Sequence, residues 1–186
     1  MSKLILILKG SPRKNGNSAA LAEQVSDGAR KAGAKVESVY LAGLEINPCD
    51  ACDACQEGND GCIVQDDMQS LYPKLKQADV IVICSPIYYF TITAQIKAFI
   101  DRWYALESDH GSALRGKELA IALVYGDTDL YTSGGINAIH TFESIARYIG
   151  LNISGMVYGT AEHIGDAQKQ PDLMAKAFQL GEALAV

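Results

Sequence analysis

Three short apolar runs divide the chain into repeated units. Lys3 to Leu8, Asp79 to Cys84 and Glu118 to Tyr125 each contain a nearly continuous hydrophobic stretch bounded by polar or turn-forming residues. Runs of this length without polar alternation are typical of parallel strands that are buried on both faces of a sheet. Val36 to Leu41 and Asn152 to Tyr158 are less apolar, and we interpret them as two further strands.

Helical periodicity fills the intervals between these five predicted strands. Strands that alternate with helices pair in parallel through right-handed crossovers. The pattern therefore predicts an α/β fold, a three-layer sandwich whose five-stranded parallel sheet, in the order 2-1-3-4-5, carries helices on both faces. The predicted helices are one containing Leu21, Val25, Ala29 and Ala32 that ends at Gly33, one that starts at Asp66, and others at about Thr93 to Leu106, at about Asn137 to Ile149 and from about Asp172.

Composition narrows the class of protein. The 186 residues include 16 basic and 22 acidic side chains, for a net charge of −6, and they form no basic patch of the kind that follows a nucleic acid backbone. The apolar runs are far too short to span a bilayer, and the N-terminus lacks a signal-peptide core. We therefore expect one cytoplasmic domain over residues 1–186, with neither a nucleic acid nor a membrane as its partner.

The loop after the first strand, Gly10 to Ser18, is the strongest candidate for binding an anion. It joins a strand to a helix, so that unpaired backbone N–H groups and the positive end of the helix point at one place. Five residues separate Gly10 from Gly16, and no Lys-Ser or Lys-Thr follows, which excludes a P-loop; the dinucleotide glycine fingerprint is absent too. A monophosphate fits better than a triphosphate. The alternative is an ordinary polar turn with Asn17 or Ser18 as the helix N-cap.

Two further loops should meet this one. The carboxyl ends of parallel strands lie at one edge of a sheet, and ligands bind there where the strand order reverses. The loop after the third strand, Ser85 to Phe90, supplies aromatic rings, and the loop that starts at Gly126 supplies backbone and hydroxyl groups. We therefore expect an anion-binding side and an aromatic wall in one crevice.

Four cysteines form a separate candidate site in a loop at about residues 46–66. Their spacing is C-x2-C-x2-C-x6-C, which can place four thiolates around an iron-sulfur cubane. Structural zinc is the first competitor, disulfides rank lower in a chain without an export signal, and a loop that holds nothing remains open. Because this loop follows the second strand, we expect it at the same sheet end as the crevice. The candidate ligands are Cys49, Cys52, Cys55 and Cys62.

The cysteine loop lies in an acidic part of the chain. From Val36 to Pro73 there is no Lys, Arg or His. Negative neighbours should lower the reduction potential of a cluster and raise the pKa values of the thiols. The acidic residues of this segment are Glu37, Glu45, Asp50, Asp53, Glu57, Asp60, Asp66 and Asp67.

Taken together, these features resemble the flavodoxin-like, NADPH-dependent FMN reductases, including the iron-sulfur flavoproteins. The resemblance rests on four segments: the Gly10 to Ser18 loop, the cysteine loop, the Ser85 to Phe90 loop and the Lys97 to Arg102 segment. The resemblance covers nearly the whole chain. We interpret Asp101-Arg102 as a structural helix feature. The resemblance implies that Ser11, Arg13, Asn17 and Ser18 hold the FMN phosphate, that Pro86, Ile87, Tyr88, Tyr89 and Phe90 lie along the isoalloxazine ring, and that Gly126 and Asp127 approach its other side.

The resemblance implies an FMN-dependent oxidoreductase that takes a hydride from NAD(P)H, or electrons from a reduced carrier, and passes them to a small-molecule or protein acceptor. The flavin would carry the chemistry, so no catalytic side chain is required. The three histidines form no metal-ligand spacing, and no Ser-His-Asp or Cys-His set is visible. The alternatives are a non-enzymatic electron carrier resembling flavodoxin and a binding module without redox activity.

The resemblance also implies a homo-oligomer, a dimer or tetramer, because such reductases often complete each flavin site with a neighbouring chain. Candidate contact residues in this sequence are Tyr104, Tyr131, Tyr158 and His163. Surface or core placement of the same residues is the alternative.

Overall fold

The computed structural model of the protein describes residues 2–57 and 61–186, so that Asp60 of the acidic segment lies outside the described residues. All five predicted strands are present and pair in parallel. They are β1 (Leu4–Lys9), β2 (Lys35–Tyr40), β3 (Val80–Pro86), β4 (Glu118–Tyr125) and β5 (Asn152–Thr160). The sheet order is β2-β1-β3-β4-β5, which confirms the predicted α/β topology with its reversal between β1 and β3.

Five α-helices connect and follow these strands. No helix of the described residues has both the length and the apolar character needed to cross a membrane. The helices are α1 (Asn17–Lys31), α2 (Met68–Gln77), α3 (Ala94–Asp101), α4 (Gly135–Ile149) and α5 (Pro171–Leu184), with short 3-10 turns at Leu41–Gly43, Arg102–Leu106 and Ala167–Lys169.

The alternation of side chains along each strand divides the core into two halves. One set of strand residues, represented by Leu6, Ile81 and Ile121, packs with α2, α3 and α4. The intervening residues, represented by Ile7 and Val82, pack with α1 and α5. The sheet is thus buried on both faces, as its continuous apolar runs predict, and the three-layer sandwich is confirmed.

The contact between α1 and α5 is unusually close and depends on two glycines. A Cβ atom added to Gly28 would lie 2.0 Å from the carbonyl oxygen of Phe178, and one added to Gly181 would lie 2.0 Å from that of Val25. No side chain fits at either position, so the two helix backbones touch directly. This contact fixes the direction in which α1 points.

Two helix boundaries differ from the predictions. The α-helical part of the third helix ends at Asp101, and the chain continues as a 3-10 turn to Leu106. The second helix begins at Met68 because Asp66 and Asp67 use their carboxylates in the preceding turn, where they accept hydrogen bonds from the backbone N–H groups of Met68 and Glu45. Both differences arise where the chain contacts the cysteine loop.

Candidate functional site

The loop between β1 and α1, the candidate anion-binding loop, forms one side of a cleft. Gly16 is the N-cap of α1, which corrects the alternative that Asn17 or Ser18 occupies that position. The Ser11 hydroxyl accepts a hydrogen bond of 3.0 Å from the backbone N–H of Arg13 and so tightens the turn. The first N–H groups of a helix have no intrahelical partner and attract anions.

Two side chains of this loop are available to a ligand. Ser18 is only 2 % exposed, yet its hydroxyl makes no hydrogen bond within the described part of the chain. The Arg13 guanidinium is exposed and likewise has no hydrogen bond or ion pair among residues 2–57 and 61–186. A free hydroxyl and a free cation beside a helix N-terminus are the groups that a phosphate requires.

Asn17 has a different position from its neighbours. Its side-chain nitrogen donates to the carbonyl oxygens of Ala161 (3.1 Å) and His163 (2.8 Å). Its side-chain oxygen accepts from the backbone N–H groups of Gly165 (3.0 Å) and Ala167 (3.2 Å). The side chain is therefore committed to the loop after β5, and a phosphate would meet the backbone of Asn17 rather than its amide.

The loop after β3 forms the aromatic side. Its backbone is tied to the sheet by a hydrogen bond of 2.8 Å from the N–H of Ile87 to the carbonyl oxygen of Val124. Tyr89 and Phe90 both have positive φ angles, +47° and +67°, and they are 98 % and 60 % exposed. Two consecutive non-glycine residues in this region cost conformational energy, and such strain is concentrated at binding sites.

The N-terminus of α4 holds this strained loop in place. The Asn137 side chain donates a hydrogen bond of 3.0 Å to the carbonyl oxygen of Phe90. Gly134, with φ of +74°, packs so closely that an added Cβ atom would lie 2.4 Å from the Cβ atom of Phe90 and 2.5 Å from its Cα atom. The position of the aromatic loop thus depends on the backbone of the loop after β4.

These loops enclose a cleft of about 200 Å³ at the carboxyl ends of the strands. It brings together most of the residues predicted to bind a flavin. Tyr89, Phe90 and Asp127 do not line it; Asp127 instead accepts a hydrogen bond from the backbone N–H of Thr128. The predicted residues that do line it are Ser11, Arg13, Asn17, Ser18, Pro86, Ile87, Tyr88 and Gly126.

The loop after β5 also lines the cleft, which the sequence analysis missed. Ala161, Glu162 and Ile164 contribute, together with Gly16, Val124 and Tyr125 from other elements. The topology could have predicted this contribution, because the carboxyl end of β5 lies at the same sheet edge as those of β1, β3 and β4. Asn17 holds this wall against the anion-binding side.

The cysteine loop is exposed and lies outside the cleft. Cys49 and Cys52 are exposed, Cys55 and Cys62 are partly buried, and all are free thiols. Ala51 and Asp53 have positive φ angles of 56° and 54°. In residues 2–57 and 61–186, no three His, Cys, Asp or Glu side chains converge on a metal position. The donor set suits a thiophilic metal or cluster, but in this conformation the thiols are not gathered around one.

The location of Cys55 corrects the expectation that this loop shares a sheet end with the cleft. Cys55 and Gln56 line a separate depression of about 600 Å³ with Lys76 and residues Ala105–Ala113. Lys76 is in the last turn of α2, and residues 105–113 precede β4, so the depression lies toward the amino ends of the strands. At Cys55 and Gln56, the segment between β2 and α2 therefore lies away from the carboxyl edge of the sheet.

Acidic neighbours act on the thiols as expected in one case. The pKa of Cys52 is raised: the backbone N–H of Ala54 lowers it, but the Asp50 carboxylate and the local loss of hydration outweigh that effect. The fifth cysteine, Cys84, is fully buried in the sheet, and burial raises the pKa of its thiol to about 12. Cys84 is therefore a core residue, as its position at a strand end indicates.

A buried ion pair supports the base of the cysteine loop. The side chains of Arg102 and Asp66 are 1 % and 2 % exposed, and the Nη1 atom of Arg102 lies 2.6 Å from the Oδ2 atom of Asp66. Burial alone would raise the pKa of Asp66, but its hydrogen bonds with Arg102 and with the backbone N–H of Asn47 lower it below its ordinary value. The sequence interpretation of Arg102 as a helix feature missed this contact.

Comparisons with known proteins identify similar sequences and a similar fold. A protein of Archaeoglobus fulgidus named iron-sulfur flavoprotein is 35% identical over 95% of this chain and 76% of its own length. A protein of Bacillus subtilis, provisionally named an NAD(P)H-dependent FMN-containing oxidoreductase, is 28% identical over 95% of both chains. The solved structure of the NAD(P)H:quinone oxidoreductase from Methanothermobacter marburgensis has the same fold, with a TM-score of 0.77, 17% identity and coverage of 100% of this chain and 98% of that one.

The family model for NADPH-dependent FMN reductase matches residues 4–162, which include β1 to β5 and all the residues that line the cleft except Ile164. The strand order, the anion-binding loop and the aromatic loop are thus found together within the matched region. The chain belongs to the NADPH-dependent FMN reductase family.

Proposed function

We propose that this enzyme binds FMN in the cleft, takes a hydride from NAD(P)H or single electrons from a reduced carrier, and passes them to a small-molecule or protein acceptor. The observation that supports this most is the cleft, in which the free Arg13 and Ser18 groups face a loop that carries Tyr88. A phosphate dianion suits the first side, and a flat apolar ring suits the second. Bound FMN would supply the hydride and one-electron chemistry.

The residues of the chain would bind and orient the cofactor. The α1 amides and Arg13 would neutralise the phosphate, and the Ser18 hydroxyl would donate a hydrogen bond to it. Pro86, Ile87 and Tyr88 would contact the ring edge or face, while Gly126 leaves room because it lacks a side chain. Tyr89 and Phe90 are proposed to lie further along the ring, outside the cleft lining, and Asp127 to act through the loop after β4.

The test is a flavin titration followed by steady-state kinetics. Purified protein should bind FMN with quenching of flavin fluorescence and should oxidise NADH or NADPH in the presence of a quinone acceptor. Riboflavin, which lacks the phosphate, is the matched control ligand and should bind more weakly. A protein that binds neither flavin, or that binds FMN and riboflavin equally, contradicts the proposed cleft.

A flavodoxin-like electron carrier is the second candidate. It is favoured by the exposed carboxylates near the cysteine loop, among them Glu45, Asp50, Asp53 and Glu57, which could dock a basic redox partner. A pure carrier would bind FMN but oxidise almost no NADH or NADPH. The same kinetic measurement therefore separates the two functions.

We further propose that Cys49, Cys52, Cys55 and Cys62 are the ligands of a [4Fe–4S] cluster. The support is the set of four free thiols and the name iron-sulfur flavoprotein carried by relatives. Because the thiols do not converge in this conformation, loading would have to reorganise the loop. Iron, sulfide and zinc analysis after anaerobic purification decides between a cluster, zinc and an empty loop.

Assembly into a homo-oligomer is proposed as well. Tyr104, Tyr131 and Tyr158 are 43 %, 75 % and 45 % exposed, and His163 is exposed beside the cleft. Aromatic side chains at the surface are enriched at protein interfaces. Sedimentation velocity with and without FMN tests this, and a concentration-independent monomer contradicts it.

A further inference from the structure

Arg102 is a charged side chain in the protein core that the proposed binding of FMN does not use. It is 1 % exposed and follows α3 directly, at the first residue of the 3-10 turn. Besides Asp66, it contacts the sulfur atom of Cys62, with 3.3 Å between Nη2 and Sγ. This is the one hydrogen bond from a cationic side chain to a thiol sulfur among the described residues.

The same guanidinium joins the two ends of the cysteine loop. Its Nη1 atom donates to the carbonyl oxygen of Asn47 at 2.9 Å, and Asn47 precedes the first cysteine by two positions. Its Nη2 atom contacts Cys62, the last of the four cysteines, and the carbonyl oxygen of Val64 at 3.5 Å. One side chain therefore closes the base of the loop that carries all four thiols.

Neighbouring groups hold Arg102 in this position. Asp66 binds it through both carboxylate oxygens and also accepts from the backbone N–H of Asn47. The Tyr72 hydroxyl donates to the backbone carbonyl oxygen of Arg102 at 3.2 Å. The orientation of the guanidinium toward Cys62 is thus set from α2 as well as from its own turn.

Stability alone does not explain the arrangement. Burying an ion pair has a desolvation cost, and well-packed apolar residues of similar volume often stabilise a core as well or better. The Nε atom of Arg102 is moreover buried without a hydrogen-bond partner in the described part of the chain. The arrangement does supply what an apolar pair cannot, a positive charge and an N–H donor directed at a sulfur atom.

We propose that Arg102 is a positioning residue for the cysteine loop, which holds Cys62 as its fixed ligand and raises the reduction potential of the bound cluster through an N–H···S hydrogen bond. This rests on the cluster assignment made above. Adding an electron makes a cluster more negative, so a nearby cation and a hydrogen bond to a ligand sulfur favour the reduced state. Arg102 thereby opposes the acidic surface of the same loop, which favours the oxidised state.

The experiment compares variants of the full chain after anaerobic reconstitution with ferrous iron and sulfide. Arg102→Lys keeps a cation beside Asp66 but cannot bond the carboxylate, the carbonyl groups and the sulfur together. Asp66→Asn combined with Arg102→Gln removes both charges and avoids leaving one unpaired. Lys97→Gln is the matched control, since Lys97 lies on α3 but pairs with exposed Asp101 only. The readouts are iron per chain, the cluster midpoint potential and thermal unfolding.

We expect both Arg102 variants to hold a cluster at a more negative midpoint potential than the wild type, with less iron per chain, and Lys97→Gln to match the wild type. Equal potentials in folded Arg102 variants and wild type overturn the proposal. A wild type that takes up no iron overturns it too. FMN affinity, measured on the same samples without iron, tests the flavin function separately, because Arg102 lies outside the cleft.

Discussion

The Thr93 hydroxyl donates a hydrogen bond of 2.7 Å to the backbone carbonyl oxygen of Gly10. Thr93 is the N-cap residue of α3, where its Oγ1 atom also accepts from the N–H of Ile96, and Gly10 opens the anion-binding loop. One buried hydroxyl therefore ties the loop after β1 to the end of the loop after β3. The loops after β1 and β3, which form two sides of the cleft, are therefore coupled through this hydrogen bond.

Replacing Thr93 with valine tests this tie. The side chains have nearly the same shape, but valine loses the cap and leaves the Gly10 carbonyl oxygen buried without its donor. We expect a loss of roughly 2–3 kcal/mol in the free energy of unfolding, measured with urea, and weaker FMN binding. Thr141→Val is the control, since the Thr141 hydroxyl bonds only to the carbonyl oxygen of Asn137 on α4. Equal effects of the two substitutions would contradict the coupling.

Arg13→Ala should weaken FMN binding without destabilising the fold. A charge-assisted hydrogen bond to phosphate contributes about 1.5–3 kcal/mol, so we expect the Kd to rise by roughly 10- to 100-fold in a fluorescence titration. Lys14→Ala removes the adjacent exposed cation, which does not line the cleft, and should change the Kd far less. If the two variants bind FMN alike, Arg13 contributes only to the general electrostatic field.

Asn17→Ala should act on the loop after β5. It removes four hydrogen bonds to backbone groups of residues 161–167. Because several of these groups are buried, we expect the free energy of unfolding to fall by roughly 2–4 kcal/mol. Amide hydrogen exchange at Gly165 and Ala167 should accelerate more than exchange in β3. Asn15→Ala, at an exposed position of the same loop, should leave these rates unchanged. Unchanged exchange in Asn17→Ala would refute the structural role of its side chain.

Gly134→Ala should displace the aromatic loop. The methyl group would collide with the backbone of Phe90, in addition to the strain of a positive φ angle. Gly33→Ala is the control, because it has a positive φ angle but no atom within 4 Å of the added methyl group. It should lower the free energy of unfolding by only about 1–2 kcal/mol. We expect Gly134→Ala to be the more destabilised in thermal unfolding and to bind FMN less tightly. A Gly134→Ala variant no worse than Gly33→Ala would mean that the loop adapts freely.

Asp66→Asn should change how stability depends on pH. The pKa of Asp66 is lower in the folded protein than in the unfolded chain, where it is about 3.9. The ion pair therefore stabilises the fold fully above that value, and its contribution is lost as the pH falls through the lower folded pKa. We expect Asp66→Asn to lower the free energy of unfolding by about 3–5 kcal/mol at pH 7, because the Arg102 charge is left unpaired. Below about pH 4 the free energies of unfolding of the variant and the wild type should approach each other.

The control for this pH dependence is Asp101→Asn, which removes a carboxylate from an exposed i,i+4 pair with Lys97. Such pairs contribute only about 0.3–0.5 kcal/mol. The free energy of unfolding, measured with urea at several pH values, should therefore depend on pH in nearly the same way for Asp101→Asn and the wild type. If the free energies of unfolding of Asp66→Asn and the wild type differ by a constant amount down to pH 2.5, the pKa of Asp66 is not lowered in the folded protein.

The sheet and the cleft were readable from the sequence because both depend on local patterns. Buried parallel strands leave apolar runs such as Asp79 to Cys84, and the position of a loop after a strand follows from topology. Arg13 and Tyr88 could be placed in one crevice without knowing any contact between them. The loop after β5 follows from the same rule, although its residues do not differ in composition from an ordinary turn.

What could not be predicted depends on contacts between distant residues. Asn17 lies in a candidate phosphate loop, and nothing in its neighbourhood indicates that its amide is occupied by residues 161–167. Arg102 lies within an apparent helix, 40 positions from Cys62. The path of the cysteine loop away from the carboxyl edge likewise follows no local pattern, because a segment of this length between β2 and α2 can go either way.

The close contact of α1 with α5, at Gly28 against Phe178 and at Gly181 against Val25, bears on the order in which the fold is assembled during synthesis. The candidate anion site lies at the start of α1, and α5, which packs against α1, is synthesised after all five strands. Until α5 has docked, α1 packs on the strands but lacks its neighbouring helix on that face of the sheet. The loop that is proposed to bind the FMN phosphate is therefore fully supported only after α5 has been synthesised, although the residues of that loop come much earlier in the chain.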